Sequence, residues 1–464
     1  MHFFDAPFRG YMSLRRFVAA GAESSPLAVL SGPGHDVALV AALALDPRGE
    51  LEVVLKGGDT RPPRVLRGEP YVKIGVVGGR LDHPGMDAQA IAALEVEEEV
   101  GARVLEGGVF GLGAPVPTQP DVSTEADRPV LCLLAPDFAE RPQGDGGGME
   151  LPGLLRPLRM PLPAALLAFD DGRVGEAARA RVTHARALER IGYLAELGVW
   201  LHDLPAEVRG AWRPLGLEAP IDPRDRLRPR EASVSAPEEQ GVAAEVDDVQ
   251  LDVEREVRLD GGAVFLAARA THRIRRAEGS QAVGRPFPIQ FLHLPDDRLK
   301  LTVFAEHPAR GPLVLLEPRL RAALRVRARA LADEVAGAPP IPEEALEVLD
   351  LSIPALDAPG PAVIAARCQA AAAAALTARG LEAHVLPLGA SSDASPGQSS
   401  QRHHFLAARV SPGALDSRFV PLAEALLAAR TQGADAAAEA ALLRLAALLG
   451  WIPSLERSAQ AVLR

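Results

Sequence analysis

At 464 residues the chain is too long for one ordinary core and suits two or three domains. Apolar residues make up 48%, so both halves can bury a core, and 50 Lys plus Arg against 61 Asp plus Glu leave a net charge of −11. No long basic run occurs, which argues against a nucleic-acid duplex as partner and points to a metal ion as mediator of any phosphate chemistry. The two cysteines, Cys132 and Cys368, form no C-x-x-C motif, so no disulfide framework is expected. The start MHFFDAPFRGYMSLRRF has no apolar signal region, and no stretch reaches the length of a membrane span. A cytoplasmic protein with no membrane partner is expected.

In chain order, residues 37–56 read as two strands, VALVAALAL and ELEVVLK, around the turn Asp46-Pro47-Arg48-Gly49. A Pro/Arg-rich loop follows, then the strand YVKIGVV and the pair Gly78-Gly79. Residues 87–100 have no Gly or Pro and predict a helix that stops at Gly101. PVLCLLA (129–135) predicts a short buried strand, and residues 174–200 a helix with apolar spacing through Leu188, Ile191, Leu194 and Leu197. Residues 204–244, rich in Pro and charge, read as an interdomain linker. Strands resume with VQLDVEREVRL and GGAVFLAARATHRI.

Several landmarks recur in the same order. Leu81-Asp82-His83-Pro84-Gly85 returns as Leu356-Asp357-Ala358-Pro359-Gly360, each before an Ala-rich helix ending at Gly101 or Gly380. The segment Pro161–Ala168 returns as Pro421–Ala428, each leading toward a tryptophan, Trp200 or Trp451. This order reads as an internal duplication.

The chemistry concentrates in GGRLDHPGMDAQAIAALEVEEEVGARV, residues 78–104. At helical spacing Glu95, Glu98 and Glu99 share one face and Glu97 points away. Three like charges on one face repel, and a hard divalent cation such as Mg²⁺ would relieve them through oxygen ligands. Alone, EVEEE would be an ordinary solvated helix face. Its setting, strand–Gly-Gly–loop–Pro-Gly–helix–Gly, resembles the Nudix box, G-x5-E-x7-R-E-U-x-E-E-x-G-U. Leu94 to Ala102 fills the second half of that pattern, and the box carboxylates map onto Glu95, Glu98 and Glu99. Met86 stands where the first Glu belongs, Leu94 where the Arg belongs, and the loop after Gly79 has one extra residue. The resemblance implies that this Glu and Arg form a salt bridge bracing the loop against the helix, and replacing both members by apolar residues can be nearly neutral.

Downstream, Pro120-Asp121-Val122-Ser123-Thr124-Glu125 resembles the S-P-G-x-S-x-E loop of the ADP-ribose pyrophosphatase branch, with Asp121 in place of Gly. The resemblance, which covers roughly residues 35–203, implies that Glu125 positions or deprotonates the attacking water. Opposite Gly78 and Gly79 in the second copy stand Ile353 and Pro354, on the alignment of the repeated pentapeptides. Its helix PAVIAARCQAAAAAALTA (361–378) holds no carboxylate, and SPGQSSQRHHFLAARV (395–410) keeps Ser-Pro-Gly without the Glu. His403-His404 reads as a polar turn before the strand FLAARV in preference to a metal site. Arg61, Arg64 and Arg67 either grip a pyrophosphate or are surface arginines.

The resemblance implies an α+β fold of two Nudix-like α/β/α sandwich domains with mixed sheets, arranged as a pseudo-dimer within a monomeric chain. Residues 1–203 form the domain with the partly degenerate box, 204–244 the linker, and 245–464 the domain that lacks the acidic box. The expected activity is Mg²⁺-dependent (Mn²⁺ as alternative) hydrolysis of a nucleoside diphosphate linked to another group, with ADP-ribose or a nucleotide sugar favoured. Glu95, Glu98, Glu99 and the Gly79 backbone would hold metal, Glu98 and Glu125 would act on the water, and Arg61 and Arg64 would bind the substrate. The alternatives are an inactive nucleotide-binding or regulatory pseudoenzyme, which the two box substitutions favour, and a structural scaffold.

Overall fold

The computed structural model of the chain describes residues 13–17, 27–31, 36–46, 51–60, 72–138 apart from 84 and 120–122, and 156–200 apart from 192 and 195–198. It further describes 244–327 apart from 260–261, 277–279, 284–285, 322 and 325–326, and 341–450 apart from 356–359 and 395–398. The proposed linker lies outside these residues except for Ala244, which opens a strand. Arg61 and Arg64 also lie outside them.

The chain is α+β with mixed sheets. The first large sheet is built on Asp36–Leu45 (β1), Leu51–Thr60 (β2), Gly78–Arg80 (β3), Ala102–Gly111 (β4), Ala126–Phe138 (β5) and Arg156–Pro161 (β6). Its strand order is β6-β2-β1-β5-β4, with β3 paired to β1, and β1 runs parallel to β5. Side chains of β1 alternate between two covered faces, as a pleated strand requires. Ala38, Val40, Ala42 and Ala44 pack with Ile91, Ala92, Val96 and Val100 of the helix Ala88–Val100 (α1). Leu39, Ala41, Leu43 and Leu45 pack on the other side with Leu162–Asp170 (α2) and Ala177–Ile191 (α3). The uninterrupted apolar run of β1 follows from helices on both faces.

The second large sheet repeats this plan. Asp296–His307 (β7), Gly311–Leu315 (β8), Leu349–Pro354 (β9), Ala383–Pro387 (β10), Arg402–Val410 (β11) and Phe419–Pro421 (β12) take the order β12-β8-β7-β11-β10. Here too β9 pairs with β7, and β7 runs parallel to β11. Pro361–Thr377 (α4) covers one face, through Cys368, Ala372 and Leu376. Leu422–Thr431 (α5) and Ala436–Leu448 (α6) cover the other. An antiparallel sheet of Ala244–Arg258, Val264–Arg276, Gln281–Val283 and Phe287–His293 precedes this unit.

The two units share a core. Val116, Ala178, Val182 and Ala185 belong to the same buried cluster as Phe304, Leu422 and most of α6. All of α3 except Glu189 and Arg190 is buried, and so is all of α6 except its last two residues. A helix enclosed on every side must pair whatever charge it carries. Arg186 therefore reaches Glu439 across the units at 2.7 Å, and Arg444 reaches Asp170 at 3.1 Å.

Two sequence expectations need correction. The helix expected over 174–200 ends at Ile191, and Tyr193–Leu194 then pairs with Val199–Trp200 as a small antiparallel ladder. Glycines at 192 and 198 make this stretch a poor helix former despite its leucine spacing. His403 and His404 do not form the expected turn, because β11 begins at Arg402 and buries both. Both cysteines are buried thiols. Among the described residues no helix is long and apolar enough to cross a membrane.

Candidate functional site

The sequence dictates where α1 begins and ends. Asp87 caps it, its carboxylate accepting from the N–H groups of Gln89 at 3.0 Å and Ala90 at 2.9 Å. Gly101 ends it with φ 63°, a left-handed conformation that glycine adopts without strain. Between the caps, Ile91, Ala92, Val96 and Val100 face the sheet. That rotation buries Glu99, leaves Glu95 and Glu98 half-buried and exposes Glu97, the face expected from the spacing.

Three successive residues of β3 each meet a different candidate acid. The N–H of Gly78 donates to Glu99 Oε2 at 3.0 Å. Gly79 lies directly under Glu95: a Cβ built on it would fall 1.7 Å from Oε1, so a larger residue there would push the Glu95 carboxylate out of its present position. Arg80 ion-pairs with Glu125 at 3.5 Å. Stretches far apart in sequence, 78–80, 95–99 and 125, are thus brought to one short strand.

The same geometry assigns Glu99 a specific role. Its second oxygen accepts from the ammonium of Lys56 on β2, and both side chains are buried. Glu99 is therefore neutralised from within the fold by a lysine and a backbone amide. Among the described residues no group of three His, Cys, Asp or Glu side chains is gathered closely enough to hold an ion. Met86, at the position of the first box Glu, packs half-buried on the apolar cluster beneath α1.

Behind Glu125 lies a buried ionic cluster. Arg179 of α3 donates from Nε to Asp127 Oδ2 at 2.8 Å. Burial pushes the Asp127 carboxyl up to about 6, Arg179 opposes that shift, and Glu125 and Glu176 add to it. Glu176, just before α3, accepts from the N–H of Val76 at 3.4 Å. The loop bearing Glu125 is turned by its own polar groups: the N–H of Ser123 donates to the Gln119 carbonyl at 2.8 Å, and that of Glu125 to Ser123 Oγ at 3.1 Å.

Sequence reasoning missed Lys56, Arg80, Asp127, Glu176 and Arg179. Only Lys56 left a signal, a lone lysine closing the apolar run of a strand expected to be buried.

Strand register defines the counterpart positions in the second unit. Val116 pairs with Asp127 and Ser392 with His403; Asp127 in turn pairs with Val37, and His403 with Arg298. Val37 pairs with Arg80 and Arg298 with Ser352, so Asp350 and Leu351 occupy the places of Gly78 and Gly79. This corrects the expected counterparts, Ile353 and Pro354, by three residues, because the repeated pentapeptide lies farther from the strand in the second unit. Gln401 likewise stands where Glu125 does, and Lys300 where Leu39 does.

No protein-family model matches the chain, and no curated protein matches it. Among solved structures, a mutT/nudix family protein from Listeria innocua is similar at 17% identity and a TM-score of 0.20, covering 29% of this chain and 82% of that one. A MutT/nudix family protein from Enterococcus faecalis is similar at 15% identity and a TM-score of 0.18, covering 23% of this chain and 39% of that one.

Proposed function

We propose that the chain is a Nudix-like protein of two tandem copies, and that the first copy hydrolyses a nucleoside diphosphate linked to another group, ADP-ribose or a nucleotide sugar being favoured. The observation that carries this reading is the meeting of Gly78, Gly79 and Arg80 with Glu99, Glu95 and Glu125. These are the box glycines, the box carboxylates and the downstream loop glutamate, joined at one strand.

Glu95 and Glu98 are the acids that fit a metal. Glu99 already accepts from Lys56 and Gly78, so it holds the helix against the sheet. Two carboxylates suffice for Mg²⁺, which commonly binds one or two of them together with substrate phosphates. When bound, Mg²⁺ lowers the pKa of a water and offsets charge on the leaving phosphate. Glu98 or Glu125 takes the proton as the water oxygen bonds to phosphorus and the bridging P–O bond breaks, releasing two phosphomonoesters. Arg80, held by Glu125, is a cation beside the diphosphate.

The second copy, with Leu351 under its helix and no acid on α4, supplies structure. Its α5 and α6 complete the core around α3, as the neighbouring subunit of a dimer would, and this supports reading the chain as a monomer with an internal pseudo-dimer.

A second reading, nucleotide binding without cleavage, is favoured by the Lys56–Glu99 pair and by Met86 and Leu94. Incubating the full chain and Mg²⁺ with a panel of nucleoside diphosphate compounds, read as released phosphomonoester, separates the two. Turnover supports hydrolysis; saturable binding with no turnover supports the second reading.

A further inference from the structure

The second unit holds a cavity of about 150 Å³ beside β7, at the boundary with the first. At ~30 Å³ per water it has room for about five waters or one small ligand. Nine of its ten lining residues are polar or charged, Leu294 being the exception among the described residues, and their aliphatic stems supply much of the wall. Three cations, Arg298, Lys300 and Arg319, face three anions, Asp296, Asp350 and Asp435. They are already matched to one another. Lys300 donates to Asp350 at 2.8 Å and to Asp435 at 2.5 Å, Arg298 donates to Asp350 at 2.8 Å, and Arg319 to Asp435 at 3.3 Å.

Two uncharged groups complete the wall. Burial, together with the nearby Lys300, Arg298 and Arg319 charges, lowers His403 to about 3, so it is a neutral ring with one donor and one acceptor. Gln119 comes from the first unit and is 3% exposed. Its Nε2 donates to Ser399 at 3.1 Å and Gln401 at 3.2 Å, while its buried Oε1 has no partner among the described residues. A buried, unpaired amide oxygen on a cavity wall costs stability unless something donates to it.

A charged ligand would have to break an ion pair to gain one, and an apolar ligand would leave Gln119 Oε1 without a donor. We propose that this cavity binds a small uncharged polyhydroxylated molecule of monosaccharide size. Its hydroxyls donate to Gln119 Oε1 and His403 and accept from the cations. Gln119 belongs to the loop that carries Glu125, so occupancy of the cavity also braces that loop.

Saturation-transfer NMR on the full chain tests this, with D-ribose and xylitol as polyols and thermal shift with inorganic phosphate as the charged control. Binding is read without turnover, so its failure leaves the hydrolytic reading standing. Saturation should reach at least one polyol, and phosphate should leave the thermal midpoint unchanged. Gln119→Leu should weaken polyol binding about tenfold, as expected for one buried hydrogen bond. Leu294→Phe, which fills the cavity while leaving every charged residue in place, should abolish it. Transfer to neither polyol, a midpoint shift with phosphate alone, or full affinity in both variants overturns the proposal.

Discussion

Arg186 of α3 donates to Glu439 of α6 at 2.7 Å, and neither side chain is more than 5% exposed. Arg186 also holds the Ala114 carbonyl of its own unit at 2.7 Å. Arg444 does the same from the other side, holding the Ala390 carbonyl of its own unit at 2.8 Å and Asp170 of the first at 3.1 Å. Each unit thus inserts one arginine that ties its own loop to a carboxylate of the other.

Arg186→Met removes the bidentate partner of Glu439 and leaves it the single contact with Arg430 Nε at 3.2 Å, so it should cost about 1–3 kcal/mol in urea unfolding, the scale of a lost hydrogen bond to a charged group. Arg186→Met with Glu439→Leu should recover part of that loss. Additive single-variant costs would show that the two residues are not coupled.

The shared core makes a second expectation. A fragment of residues 1–203 bares Val116, Ala178, Val182 and Ala185, which the second unit covers. It should self-associate or aggregate, as exposed apolar patches do. Sedimentation of the fragment as a stable monomer would contradict the completing role of the second unit.

Around α1 the three acids should separate by role. Glu98→Gln should remove stabilisation by Mg²⁺ in the presence of a nucleoside diphosphate, and Glu97→Gln, on the exposed face, should keep it. Lys56→Met should instead lower stability by about 3–5 kcal/mol, since it leaves Glu99 buried without its ammonium partner. Differential scanning fluorimetry of the three variants decides whether they divide this way.

Acid should destabilise the fold through His184. Burial depresses its pKa to about 4, with Arg181 adding to the effect and the bond to the Ala180 carbonyl at 2.8 Å opposing it. The unfolded chain, near 6.5, then binds more protons than the native one between those values. The stabilisation is full above pH 6.5 and is lost as pH falls toward 4, about 3 kcal/mol in all. His184→Leu should flatten the fall in unfolding free energy between pH 7 and 5.

What the sequence displays of this molecule follows from local rules. Helix α1 is legible because Asp87 and Gly101 mark its ends and because i, i+3 and i+4 spacing fixes the face of Glu95, Glu98 and Glu99. The strands β1 and β5 are legible as apolar runs. Arg179, Arg186 and Arg444 are not, because an arginine on a helix looks solvated until its partner appears, and Glu439 lies 253 residues from Arg186. The Lys56–Glu99 pair is hidden for the same reason, across 43 residues. The counterparts of Gly78 and Gly79 are not legible either, because the repeated pentapeptide lies three residues farther from the strand in the second unit and only strand pairing fixes the register.

Phosphomonoester release from ADP-ribose and nucleotide sugars by the full chain with Mg²⁺, compared between wild type and Glu98→Gln, tests the central claim most directly. The wild-type protein should turn over at least one of these compounds, and Glu98→Gln should lower kcat by about 100-fold or more, the scale of a lost general base. No turnover of any diphosphate, or equal turnover by Glu98→Gln, would contradict it.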